Sequence, residues 1–457
     1  MKKYSVKFWI IFWIIAVALL ASWFLFWEIK NRGIRLANVA IDYLPLKYDE
    51  KDKYKNVINI ADYLLKDGKE RTFLVLLQNN MELRPGGGYI GTFGILKIEN
   101  GRVKEIQTHD LSNFDARIPN IEKPPYPMEE TLSIKYWKLR DSNYSPDFIE
   151  NAKKAEYFYK LGEGQEELDG TIAITANVLL TALEVIGPIQ IEGYPGTYDS
   201  ENAIMALEYQ VEKGYIDQDV EKGERKSIMN ELAEEIADRV SDLSISQKLK
   251  LFKVIVGDLD KKDIQLYFKD AELQKIVEKA NWGGAVDESW NKDYLMVVDA
   301  NLGAFKSDYY IKRSMDYNVD LSGDIPKANL KITYNHTATQ KDWMTRDYLT
   351  YVRMYVPDGA WLKKHPGLEN PQFGEEFGKK YFGFIVETPI GTSRTVEFQY
   401  DLPKELKSDS YDLKIQKQAG VNDIPVKIKV KGTSGNEKEY NTNLNSDIIL
   451  SELELRN

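Results

Sequence analysis

The sequence predicts an α/β domain preceded by a single transmembrane helix and followed by an all-β sandwich-like domain. Three observations predict it. An uncharged apolar run near the N-terminus, Phe8 to Trp27, has about the length that spans the hydrocarbon core of a bilayer. Through the middle of the chain, short continuous apolar strands alternate with helical patterns, as in a sheet buried on both faces. From about Leu330 the apolar period changes to two, the signature of strands with one buried face. The expected division is a cytoplasmic tail and transmembrane anchor over 1–35, a helical stalk over 36–70, an extracytoplasmic α/β domain over 71–320 and the sandwich over 321–457.

Lys2, Lys3 and Lys7 precede the apolar run, and Trp9, Trp23 and Trp27 stand near its ends, where interfacial aromatics belong. A cleaved signal peptide is the competing reading; the run exceeds the usual length, and no small-x-small cleavage site follows it. A short basic tail stays inside, so the expectation is a single-pass protein of the cell membrane with the bulk of the chain extracytoplasmic. The chain from Ile34 to Leu65, broken at Pro45, reads as stalk and docking helix.

The α/β domain opens with Phe73 to Leu77, a strand buried on both faces that stops at Gln78-Asn79-Asn80. The loop beyond it carries Glu82, Arg84, Pro85 and three glycines, Gly86, Gly87 and Gly88. Glycines let backbone N–H groups approach a ligand, and a guanidinium beside them recognises phosphate or carboxylate in a bidentate way. The same residues also suit a tight turn with no ligand. Phe93 to Ile98, the turn at Asn100-Gly101 and Val103 to Thr108 read as a hairpin that ends at His109-Asp110. Asp110, Asp115 and Arg117 then fall at a strand end, where ligands of α/β sheets commonly sit. The proline-rich stretch Pro119 to Met128 reads as a rim or lid around that edge. Arg140 and Asp141 lie in a polar segment ahead of a helix from Phe148 to Leu161, which Ser145 or Asp147 would cap.

Asp169 to Thr175 reads as strand, Ala176 to Ile186 as a helix ended by Gly187, and Ile189 to Ile191 as strand. Ile228, Leu232, Ile236 and Val240 recur at helical spacing, as do Leu249, Phe252 and Val256; both series are packing stripes. Ile264 to Phe268 and Tyr294 to Asp299 read as strands, the second opening into a polar loop with Lys306. The sandwich strands are carried by Leu330/Ile332/Tyr334, Val352/Met354/Val356, Val396/Phe398/Tyr400, Tyr411/Leu413/Ile415 and Val426/Ile428/Val430.

Composition excludes several classes. Charged residues are 29% and hydrophobic ones 43% of the 457 residues, as in folded protein. A net charge of -10 argues against nucleic acid as a partner. No cysteine is present, which removes disulfides, thiolate metal sites and cysteine nucleophiles; His109, His336 and His365 are far apart, which argues against a histidine metal site.

The motifs LVLLQNNMELRPGGGYIGT, WKLRDSNYSPDF, DGTIAIT, VVDANLGAFKSD and VRMYVPDGA resemble an uncharacterised family of bacterial membrane-anchored proteins. The order of anchor, buried strand, arginine-bearing loop and DGTIAIT strand is more distantly similar to the LytR-CpsA-Psr proteins, which attach polyprenyl-pyrophosphate-linked glycopolymers to the cell wall. That resemblance implies an α/β core in which arginines and aspartates hold the pyrophosphate and a magnesium ion. By it, Arg84 would match an arginine of the loop after the first strand and Asp110 an aspartate at a later strand end. Together with the loop and strand-end residues read above, the candidate ligand-binding residues are Arg84, Gly86, Gly87, Arg117, Arg140 and Lys306, the candidate catalytic residues Asp110 and Asp141, and the candidate Mg2+ ligands Asp110 and Asp115. Two departures stand out: His109 occupies the place of an arginine, and the first strand ends without the family's aspartate.

Two functions follow as expectations. In one, the chain binds an anionic, pyrophosphate-linked glycan, a lipid head group or peptidoglycan in a structural role, and the sandwich meets envelope proteins. In the other, it is a magnesium-dependent phosphotransferase, whose chemistry is mostly positioning and charge neutralisation.

Overall fold

The computed structural model describes residues 41, 47–65, 68–99, 102–214, 216, 227–408 and 410–454. The expected transmembrane run Phe8–Trp27, most of the stretch before Tyr48 and the Asn100-Gly101 turn lie outside the described residues. Among those described, no helix is long and apolar enough to cross a membrane. The chain divides into two compact units: residues 1–78, 90–119 and 148–284 form one, and 79–89, 120–147 and 285–457 form the other.

The first unit is built on a five-stranded sheet. Its strands are β1 (Glu70–Asn79), β2 (Tyr89–Glu99), β3 (Arg102–Asp110), β4 (Gly170–Thr175) and β5 (Ile264–Phe268), in the order β3-β2-β1-β4-β5. β1 and β4 run parallel, with Gln78 opposite Thr175 at their shared end, while β2–β3 and β4–β5 are antiparallel. Burial on both faces explains why β1 reads as an unbroken apolar run: Phe73, Leu74, Val75 and Leu76 are all buried. Helices Asn177–Ile186, Ser227–Asp242 and Ile245–Asp260 supply the main core, in which Val178, Ile228, Leu232, Ile236, Phe252 and Val256 meet Phe73 and Val75. Ser244 caps the last of these with a reciprocal Ser244–Gln247 capping box. The helix expected to dock does so: Tyr48–Leu65 brings Ile60 into the same core. One expectation changes. Ile189–Ile191 is not a strand but a single bridge from Ile189 to Tyr198, because the chain turns again at Tyr194 and Gly196 before a second residue can pair.

The second unit is a sandwich of two six-stranded sheets. The strands are β6 (Asp293–Asn301), β7 (Ile311–Asp320), β8 (Lys327–His336), β9 (Tyr348–Pro357), β10 (Trp361–Lys364), β11 (Gln372–Glu376), β12 (Lys379–Thr388), β13 (Ser393–Asp401), β14 (Ser410–Gln416), β15 (Pro425–Lys431), β16 (Glu437–Asn443) and β17 (Ile448–Glu454). One sheet runs β10-β13-β8-β7-β15-β16 and the other β11-β12-β9-β6-β14-β17. The alternating residues meet between them, with Leu330, Ile332, Tyr334, Val352, Met354, Val356, Phe398, Leu413 and Ile428 in one cluster. β6 and β7, which a boundary at 321 assigns to the α/β domain, are strands of the two sandwich sheets. β6 misled because it is buried on both faces and so shows no period of two. The proline-rich stretch also reads differently here. Met128 and Tyr144 pack with Ala300, Leu302 and Tyr351, so the 120–147 segment is sandwich structure with a core of its own.

Candidate functional site

The predicted ligand loop is an integral part of the sandwich unit. The chain leaves β1 at Asn79 and returns at Tyr89, and the loop between is sewn into that unit by backbone and side-chain bonds. Leu83 N–H donates to Asp308 Oδ2 at 3.0 Å, Leu83 O accepts from Asn301 N–H at 3.0 Å, and Gln418 Nε2 donates to Arg84 O at 3.2 Å. Leu83 itself is buried among the sandwich core residues.

Arg84 is 2% exposed, and its donors are taken from within. Its Nε donates to Asp141 Oδ1 at 3.1 Å and Nη2 to Glu82 Oε1 at 2.9 Å, while Nη1 donates to Asn301 O at 3.2 Å and Leu83 O at 3.3 Å. Burial opposes the charge, but the Glu82 and Asp141 carboxylates more than offset it and hold the guanidinium pKa above its ordinary value. The glycines serve the same closure. Gly86 N–H donates to Asn143 O at 2.9 Å, and Asn143 Nδ2 donates to Gly88 O at 2.6 Å. A Cβ on Gly88 would lie 2.5 Å from the backbone of Asn79. Gly87, with φ of 130°, presses its carbonyl against Gly420. These N–H and C=O groups face protein.

The remaining predicted residues divide between the units. Asp141 is buried; Arg140 and Lys306 are half-buried, and the backbone N–H of Lys306 donates to Met344 O at 2.8 Å. All three belong to the sandwich unit with Arg84, Gly86 and Gly87. Asp110, Asp115 and Arg117 belong to the other. There Asp110 caps the short Leu111–Phe114 helix by accepting from Ser112 N–H at 2.8 Å, and Asp115 is buried at its end. Arg117 is exposed and stacks its guanidinium over Phe114 at 4.3 Å. His109 stacks on Phe93 at 4.8 Å; burial first, then Arg117, lowers its pKa. Among the described residues, no group of three or more His, Asp or Glu side chains stands ready to hold a metal. Of the expected magnesium ligands, Asp110 gives one carboxylate oxygen to a helix cap and Asp115 is buried at the end of that helix.

Sequence reasoning missed a polar cluster at the common end of β1 and β4. Asp263 Oδ1 accepts from Thr175 Oγ1 and Asn177 Nδ2, both at 2.8 Å. Asp258 accepts from Thr181 Oγ1 at 2.7 Å, and its backbone O accepts from Asp263 N–H at 2.9 Å. Burial, reinforced by Asp263, pushes the Asp258 carboxyl up to about 8. Burial thus favours its protonated form. Gln78, 3% exposed and opposite Thr175, has no hydrogen-bond partner for its side-chain amide among the described residues. The signal available was Asp258-Leu259-Asp260-Lys261-Lys262-Asp263 directly before β5, which reads as the solvated end of a helix.

No curated protein matches the chain. The similar solved structures include three at low identity. Lin1025 protein from Listeria innocua is 15% identical, with 47% of this chain and 80% of that one covered and a TM-score of 0.27. A protein described as transcriptional regulator yvhJ from Bacillus subtilis is 15% identical, with 48% and 98% covered and a TM-score of 0.22. TagV of B. subtilis is 13% identical, with 48% and 99% covered and a TM-score of 0.22. Over residues 68–211 the chain matches the family described as Protein of unknown function (DUF4012), so the expected resemblance to an uncharacterised family holds across that stretch.

Proposed function

We propose that this chain is a membrane-anchored, extracytoplasmic protein of the cell envelope that binds an anionic, pyrophosphate-linked glycan or a lipid head group in a structural or interaction role. The observation that carries the reading is the state of Arg84. Phosphoryl transfer needs cations turned toward the substrate. Arg84 instead spends its charge on Glu82 and Asp141 inside the protein. Releasing it to a pyrophosphate would leave the buried Asp141 and the half-buried Glu82 unpaired, at a cost of about 3–5 kcal/mol. The loop therefore acts as a brace, and anion binding falls to more exposed cations.

The test uses the full chain in detergent micelles with a polyprenyl-pyrophosphate-linked glycan, with magnesium or with chelator. Expected is binding that does not depend on magnesium and no transfer of the glycan to an acceptor. Magnesium-dependent transfer, abolished by Asp110→Asn or Asp141→Asn in variants that keep the wild-type melting temperature, would overturn the reading in favour of the phosphotransferase.

A further inference from the structure

Leu413 and Ile415 of β14 point into the sandwich core, so Lys414 between them lies on the opposite face of the sheet. Register sets it beside Tyr294 on β6 and Ile449 on β17. The segment ahead of β6 crosses that face. Ala285 O accepts from Gln416 Nε2 at 2.7 Å, Asp287 N–H donates to Gln416 Oε1 at 3.0 Å, and the Trp290 ring lies 6.0 Å from the Lys414 ammonium. Under this cover the Lys414 side chain is only 8% exposed.

Lys414 Nζ donates to Asp287 Oδ2 at 2.7 Å, and Oδ2 of a second buried acid, Asp447, stands 4.0 Å from the same nitrogen. The other Asp287 oxygen, Oδ1, accepts from Ser289 N–H at 3.1 Å and from Ser289 Oγ at 2.6 Å. Asp447 is anchored through its own Oδ1, which accepts from Lys417 N–H at 2.9 Å. Burial pushes the Asp287 carboxyl up, but Lys414 and Ser289 outweigh it and hold the group below its ordinary value, so the resting carboxyl is ionised. A salt bridge needs one carboxylate. Here a buried amine meets a carboxyl whose far oxygen already has two donors, with a second carboxylate beside its protons. Those are the parts of acyl transfer: a desolvated nucleophile, donors at the developing oxyanion and a proton relay.

We infer that Lys414 and Asp287 condense into an intramolecular isopeptide bond, with Asp447 as the proton relay. A nitrogen hydrogen-bonded to one carboxyl oxygen lies roughly 3–3.5 Å from the carboxyl carbon, the separation from which reacting atoms start. One ammonium proton passes to Asp287 Oδ2, leaving a neutral amine and a neutral acid. The lysine end swings over the carboxyl face, and the Nζ lone pair attacks Cγ. The carbonyl electron pair moves to Oδ1, where Ser289 N–H and Oγ–H hold the oxyanion. Asp447 takes a second proton from Nζ and passes it to the Oδ2 hydroxyl. The Cγ–Oδ2 bond breaks, water leaves, and Oδ1 becomes the amide carbonyl. No other reactant is consumed. The product also removes an ammonium and a carboxylate from a poorly solvated site, which offsets the desolvation that a buried ion pair carries. The bond joins residues 127 apart in sequence, a covalent staple in a chain that has no cysteine.

The experiment is mass spectrometry of the full chain, purified in micelles, denatured and then digested with trypsin. Expected for the wild type is a mass lower by one water molecule than the sequence demands, a branched peptide joining Lys414 to Asp287, and no cleavage after Lys414. Lys414→Arg keeps a cation beside both carboxylates but removes the amine, and should restore the full mass. Asp447→Asn should lower the linked fraction by about tenfold or more, and Asp447→Glu, which keeps a carboxylate there, should recover it. A wild type of full mass that is cleaved after Lys414 overturns the bond and leaves an ion pair. A water deficit that persists in Lys414→Arg places the dehydration elsewhere and also overturns it. Linkage in Asp447→Asn equal to that of the wild type overturns the relay.

Discussion

At the scale of single residues, buried charge decides more than exposed charge. Arg84 is held by two carboxylates, so Arg84→Ala should cost about 3–5 kcal/mol by leaving them unpaired, read as a lowered denaturation midpoint of the sandwich unit. A null effect on stability would mean that the guanidinium is free to bind ligand after all. A second buried acid sets a pH dependence. Asp293 is 0% exposed and accepts hydrogen bonds from Tyr317, Tyr411 and Tyr294 N–H. Burial nevertheless raises its pKa from 3.8 to about 6. A raised folded pKa means the native state holds the proton more tightly than the unfolded chain. The associated stability is then complete below about pH 4 and lost as pH rises through 6, an effect on the order of 3 kcal/mol. Asp293→Asn should flatten this part of the stability profile. Unfolding measured between pH 4 and 7 checks it, and an unchanged slope would count against the titration. Asp258, in the other unit, shifts in the same direction over a window that extends to about pH 8.

At the scale of elements, the loop between β1 and β2 depends on the absence of side chains at two close approaches. A Cβ on Gly420 would lie 1.9 Å from Gly87 O, at a φ of +78°. Gly420→Ala therefore combines a clash with left-handed strain and should destabilise by more than about 2 kcal/mol. Gly187→Ala is the contrasting case: its φ of +83° and ψ of 176° lie in a region kept essentially for glycine, but nothing lies within 4 Å of the added Cβ, so strain of about 1–3 kcal/mol without a clash is expected. Thermal unfolding of the two variants should rank them in that order. The helix ending at Gly187 and the Phe148–Leu161 helix were readable because caps, glycines and apolar spacing are local signals. The ion pair of Arg84 with Asp141 and its bond to the Asn301 carbonyl were not, because both partners lie far along the chain; only Glu82, two residues away, is a local partner.

At the scale of the whole molecule, the sandwich unit draws on three separate stretches of chain. Leu83 from the first packs in its core, and Tyr144 from the second packs on Tyr351 and receives a 2.8 Å bond from Arg353. Residues 285–457 expressed alone lack both and should unfold at a lower temperature than the same unit in the full chain. Circular dichroism of the two proteins tests this, and equal melting would show that the inserted segments contribute little.

Local sequence specifies the elements: β1 and β4 as buried strands read from apolar runs, helices read from period and caps, and a sandwich read from alternation. These are properties of a few neighbouring residues, set by backbone geometry and burial. The remaining arrangement comes from long-range packing. It assigned Arg84 and its glycines to a closed brace, separated them by unit from Asp110 and Arg117, and placed β6 and β7 in the two sandwich sheets. Each of those outcomes depends on pairing between distant segments, which no local pattern encodes.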